Sequence, residues 1–121
     1  MTVAGEELRY VVLHHTGIPE PHYDLMFESS PSGALATFRC PIWPLHKPAG
    51  IEPLGDHRRD YLEFEGLVSG GRGEVRRVAA GSYRTAERTH DYWKVILDES
   101  VTVTIYRPPP GGDHWYAERE F

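Results

Sequence analysis

The histidines and acids near the start of the chain carry its most informative chemistry. They read His14-His15, then His22-Tyr23-Asp24, then Asp56-His57. In the run His22 to Glu28, HYDLMFE, side chains alternate across an extended strand. His22, Asp24, Met26 and Glu28 then share one face, read as open. Tyr23, Leu25 and Phe27 share the other, read as the core face. An imidazole and a carboxylate side by side suit two ligands of one metal ion, or a histidine oriented by an acid. His14 or His15, ending the preceding apolar run, supplies a third ligand if the two strands pair. Two imidazoles and one carboxylate suit Mn²⁺, Fe²⁺ or Zn²⁺.

The other reactive types point elsewhere. His46, His90 and His114 fall in or near loops and read as surface residues. Cys40 precedes Pro41 with no motif around it and reads as a half-buried structural thiol. No phosphate-binding Walker loop, GxSxG elbow or HExxH helix is present in the sequence. The turn Gly70-Gly71-Arg72-Gly73 has backbone N–H groups that suit a phosphate, although such glycines more often only close a tight turn.

These residues must be positioned by short extended elements. The apolar spacing is mostly period two. Strands are expected at Arg9–His15, His22–Ser29, Ala34–Arg39, Gly73–Ala80, Tyr92–Leu97, Val101–Arg107 and His114–Glu120. A hairpin turn is expected at Asp98-Glu99-Ser100, and PPPGG at Pro108–Gly112 reads as a turn. The only helical signal is RRDYLEF at Arg58–Phe64, worth about one turn. Four prolines mark Pro41–Pro53 as an irregular loop. About seven short strands imply a mainly β domain, a small antiparallel barrel or a sandwich with one or two short helical turns.

The 121 residues fit one domain, 1–121, with a net charge of -5 that opposes bulk coating of nucleic acid or anionic membrane. Residues 66–89 run against that balance, with five arginines (72, 76, 77, 84, 88) and two glutamates (74, 87). This stripe suits a phosphate-bearing ligand, or an ordinary solvated strand face. A single cysteine excludes an internal disulfide and a cysteine zinc site. No apolar run is long enough to span a bilayer, and the acidic start carries no secretory pattern. A cytoplasmic protein is expected.

The ordered set HYDLMFE, GDHRRDYLEFEG and VSGGRGEVRRVAAGSY resembles the 3′-phosphoesterase domain of bacterial DNA ligase D and its stand-alone relatives, over roughly residues 9–83. That resemblance implies a small β-barrel that removes a 3′-phosphate or a 3′-terminal ribonucleoside from primer–template DNA ends. It implies Mn²⁺, or Zn²⁺ or another divalent transition metal, held by His15 (less well by His14), His22 and Asp24. It places His57 on the scissile phosphate, with His22 and Asp24 also catalytic, and Tyr61 at the same site. The partner it implies is a DNA 3′ end; a ligase or polymerase working with it would be a separate chain, since no such motif fits within 121 residues, and a monomer is expected. Met26 stands where the family has a phosphate-binding arginine, Gly55 stands where it has an acid before Asp-His, and Lys47 is the nearest basic residue after the third strand. Arg58, Arg59 and Arg72 are the nearby arginines expected to bind substrate in place of the lost charge. The alternative is a catalytically weak or inactive module that binds DNA ends or protein.

Overall fold

A computed structural model describes residues 7–121. It contains nine strands, β1 (Leu8–Thr16), β2 (His22–Glu28), β3 (Leu35–Cys40), β4 (Ala49–His57), β5 (Gly66–Leu67), β6 (Glu74–Arg88), β7 (Tyr92–Leu97), β8 (Val101–Tyr106) and β9 (Trp115–Arg119), and one 3₁₀ turn, Arg59–Leu62. Every pairing is antiparallel. The order runs β1-β2-β3-β4-β9-β8-β7-β6, and β6 pairs back onto β1. That last pairing closes an eight-stranded barrel and decides between barrel and sandwich. The short β5 lies against β6 outside the ring. No helix among the described residues is long and apolar enough to cross a membrane.

Two expected elements differ. The proline-rich stretch is irregular only to residue 48; from Ala49 it is a strand. Ala49 and Ile51 turn inward while Gly50 and Glu52 face out, so the period-two signal outweighs the prolines. Pro53 sits beside the register shift where β4 leaves its regular ladder with β3, a place where a missing N–H is tolerated. The basic strand is also longer than its first half. β6 pairs with β1 up to Tyr83 and with β7 beyond it, bending round the barrel.

An eight-stranded barrel has an interior that side chains can fill. Here Val12, Leu25, Phe27, Tyr83, Trp93, Val95 and Ile105 fill it, with Cys40 buried among them. Cys40 is thus fully rather than half buried. The Phe27 ring lies 5.2 Å from both Tyr83 and Trp93. The Tyr83 hydroxyl donates to the Glu28 carbonyl, and burial pushes its phenol up to about 12.

A second apolar cluster lies on the other face of β1, β2 and β3. Val11, Leu13, Met26, Leu35 and Val75 pack there beneath Leu62. Residues 58–73 form a strap that covers this outer face. The face expected to be open is therefore closed: His22, Asp24, Met26 and Glu28 are 5, 5, 1 and 3 % exposed. Alternation correctly divides the strand into two faces, and both are buried because the strap supplies a second cover.

Candidate metal centre

The β1–β2 register builds the centre. His15 lies directly opposite His22, and Asp24 is the next same-face position on β2. Side chains opposite or diagonal on one face of an antiparallel pair are within reach of each other. His14 points the other way and stacks on Tyr23, ring centroids 4.4 Å apart. The pairing thus selects His15 over His14.

Backbone carbonyls orient both rings. His22 Nδ1 donates to the Glu20 carbonyl at 2.9 Å, which leaves Nε2 with its lone pair. His15 Nε2 donates to the Arg72 carbonyl at 2.7 Å, which leaves Nδ1 with its lone pair. Such outer hydrogen bonds are how proteins set the tautomer of a metal-ligating histidine. Both free nitrogens turn to Asp24. His22 Nε2 is 3.1 Å from Oδ1, and His15 Nδ1 is 3.6 Å from Oδ2. Donor atoms about 2.1 Å from a common ion sit roughly 3.0–3.5 Å apart. The three candidate ligand atoms all lie within 4.8 Å of one another.

Asp24 Oδ1 is buried and accepts no hydrogen bond, so its approach to His22 is close without being aligned for one. A buried, unpartnered carboxylate oxygen is costly. A divalent cation held by these residues would remove that cost. Two neutral imidazoles and one carboxylate with further positions free fit Mn²⁺, Fe²⁺ or Zn²⁺ on donor chemistry alone. The residues present therefore fit the ion.

A cavity of about 110 Å³ opens beside the cluster, lined by His15, Asp24, Met26, His57, Tyr61 and Arg72 among others. His57 ends β4. Its Nδ1 donates to the Gly55 carbonyl at 2.9 Å, leaving Nε2 as the nitrogen free to exchange a proton. Tyr61 stands next to it on the 3₁₀ turn, ring centroids 5.6 Å apart. Arg72 reaches the cavity from the glycine turn, where Gly70, Gly71 and Gly73 take positive φ. A Cβ on Gly73 would lie 2.1 Å from the Thr16 carbonyl, so glycine there lets the strap close onto β1 just past His15. Arg58 lines a neighbouring hollow with Arg72 and Tyr61.

Arg59 is not brought to the cavity. Its Nη2 binds Glu28 Oε2 at 2.6 Å and its Nη1 donates to the Gly33 carbonyl at 3.1 Å. Glu28 also accepts from the Arg9 amide at 2.7 Å. Arg59 therefore pins the strap to β2. Arg59→Met is expected to lower stability by about 2–3 kcal/mol, below the full cost of orphaning a buried charge because Arg59 is itself partly exposed. A thermal melt should show the midpoint falling by about 10 °C, and Glu28→Leu added to Arg59→Met should recover part of it. An unchanged melt would show that the pair does not hold the strap.

Three other arginines of the basic stripe are engaged locally, and Arg76 is exposed. Arg84 pairs with Glu99 at 2.8 Å, Arg77 bonds the Leu62 carbonyl, and Arg88 lies 4.0 Å over Trp93. Only Arg72 of the stripe reaches the cavity. His46, His90 and His114 lie in loops, as expected. One residue the sequence does not single out is Arg39, directly opposite Asp24 on β3. Its Nε is buried without a partner, and it lines a hollow with His22, Glu20 and Glu52. Only the β2–β3 register marks it, and that register is not readable from spacing within one strand.

No protein-family model matches the chain, and no curated protein matches it.

Proposed function

We propose that this protein is a metal-dependent phosphoesterase acting on the 3′ ends of DNA, removing a 3′-phosphate or a 3′-terminal ribonucleoside in end repair. The observation that carries the reading is one cavity lined by two of the three clustered donors, His15 and Asp24, together with His57 and Arg72. The resemblance of HYDLMFE and GDHRRDYLEFEG to the ligase D phosphoesterase domain narrows the substrate to DNA 3′ ends. His15, His22 and Asp24 would hold the ion, Mn²⁺ by that resemblance. When bound, a divalent ion supplies charge to a phosphate oxygen and acidifies water. In hydrolysis a water oxygen bonds to phosphorus. The bond that breaks is the one to the 3′ oxygen when a 3′-phosphate is removed, and the one to the 5′ oxygen of the departing sugar when a terminal ribonucleoside is removed and the phosphate stays behind. His57 Nε2 donates a proton to the departing oxygen or to a non-bridging one. Tyr61 and Arg72 orient the phosphate, whose near-double charge at neutral pH makes cationic contact the main requirement. The reading places the protein in the cytoplasm as a monomer working with a separate ligase or polymerase chain.

Met26 favours a second reading, a module that binds DNA ends with little turnover, because a thioether neither pairs with a phosphate nor donates to it. A labelled primer–template ending in a 3′-phosphate or a single 3′-ribonucleotide separates the two. Conversion only with Mn²⁺ present is expected. Bound metal and bound DNA without conversion would replace the enzyme with the binding module.

A further inference from the structure

The strap carries more apolar surface than its covering role needs. Leu67 is 81 % exposed and Phe64 37 %. Both line a hollow of about 320 Å³ with Tyr61, Arg58 and Arg72. Exposed large apolar groups gathered in one concavity mark a binding surface more often than isolated ones do. The Tyr61 and Phe64 rings lie 5.8 Å apart at 85° and do not stack on each other. This edge-to-face contact is itself favourable, and the partly exposed Phe64 ring is available to stack on a flat ring entering the hollow. Arg58 and Arg72 put two cations beside these rings, with Asp60 the single acid.

We propose that this hollow is a nucleobase subsite, with Phe64 and Leu67 as the platform for the base of the terminal nucleotide. The inference rests on the phosphoesterase reading for its choice of ligand. Tyr61 and Arg72 are walls of both the hollow and the metal-side cavity. A base in the one is therefore linked through its sugar to a phosphate in the other. Aromatic and apolar faces beside arginines are the usual means of holding single-stranded nucleic acid without reading its sequence. The subsite accordingly selects for a base at the end and is indifferent to which base.

The test uses two oligonucleotides ending in a 3′-phosphate, one with a terminal base and one with an abasic terminal sugar, each labelled at the far end. Binding is read by anisotropy with EDTA present, and conversion is read separately with Mn²⁺. The wild-type protein is expected to prefer the base-bearing end by roughly 5- to 150-fold, the range for one stacked base. Phe64→Ala should remove the preference and Phe64→Tyr should restore it. Val78→Ala, which changes an exposed apolar residue outside the hollow, should keep it. Equal binding of both ends by the wild type, or a preference that survives Phe64→Ala, overturns the subsite. Conversion of both ends with no preference would overturn the subsite and leave the phosphoesterase reading standing. A base preference without conversion would do the reverse.

Discussion

His22→Ala is expected to abolish metal binding and, with it, all Mn²⁺-dependent conversion of 3′-phosphate ends. The size of the effect follows from how few donors the centre has. Three candidate ligand atoms converge, and His22 Nε2 is the one nearest to Asp24, at 3.1 Å. Removing it leaves one imidazole and one carboxylate, a pair common on any protein surface and weak as a chelate. It also leaves the Glu20 carbonyl without its donor and Asp24 Oδ1 still without one. Calorimetric titration with Mn²⁺ reads the binding, and the primer–template assay reads the turnover. Retained turnover in this variant would sink the metal mechanism outright. Metal binding retained in His14→Ala is the matching expectation, because His14 stacks on Tyr23 across the sheet from the cluster.

The contrast between His14 and His15 shows where the sequence stops being sufficient. Alternation within β2 is local, so the pairing of His22 with Asp24 on one face is legible from spacing alone. Choosing the third ligand needs the register of β1 against β2, which depends on the hairpin between them. The closure of the barrel is less local still, since β1 pairs with β6 more than fifty residues away. Burial of the metal face was not legible for the same reason. It depends on Leu62 packing over Met26 and on Arg59 reaching Glu28, contacts made by a strap that reads in sequence only as about one helical turn followed by a glycine turn. Arg58 and Arg59 are adjacent and look equivalent in sequence. The 3₁₀ turn sends one to the hollow and the other to a buried carboxylate.

Met26 takes its meaning from the same strap. It is 1 % exposed, and its neighbours on that face are Val11, Leu13, Leu35, Leu62 and Val75. Met26 also lines the metal-side cavity, and its thioether completes the surface on which Leu62 docks. On the strap, Arg72 is the cation that borders both the metal-side cavity and the hollow next to it. Its side chain is steadied by the Ser69 carbonyl at 2.7 Å, and its own carbonyl holds His15. One residue thus ties the orientation of a ligand to the placement of a cation, so the strap is part of the centre as well as its cover.

That arrangement makes His57 separable from the metal ligands by experiment. His57→Ala is expected to lower turnover by about 10²- to 10⁴-fold, the usual range for losing a positioned proton donor, with Mn²⁺ affinity unchanged. The separation holds because His57 comes from the end of β4 and is fixed by Gly55, not by the cluster. With Nδ1 committed to that carbonyl, Nε2 is the atom that would deliver the proton in the proposed reaction. A substrate whose leaving group departs without one, such as a nitrophenyl phosphate, should lose far less than the DNA end. The loss on DNA should fall in kcat more than in KM, since the proton moves only as the bond to the 3′ oxygen breaks. Equal losses on both substrates would assign His57 to holding the phosphate and remove it as the acid. An Mn²⁺ affinity that falls with the substitution would place it among the ligands, against the three-donor centre that the β1–β2 register builds.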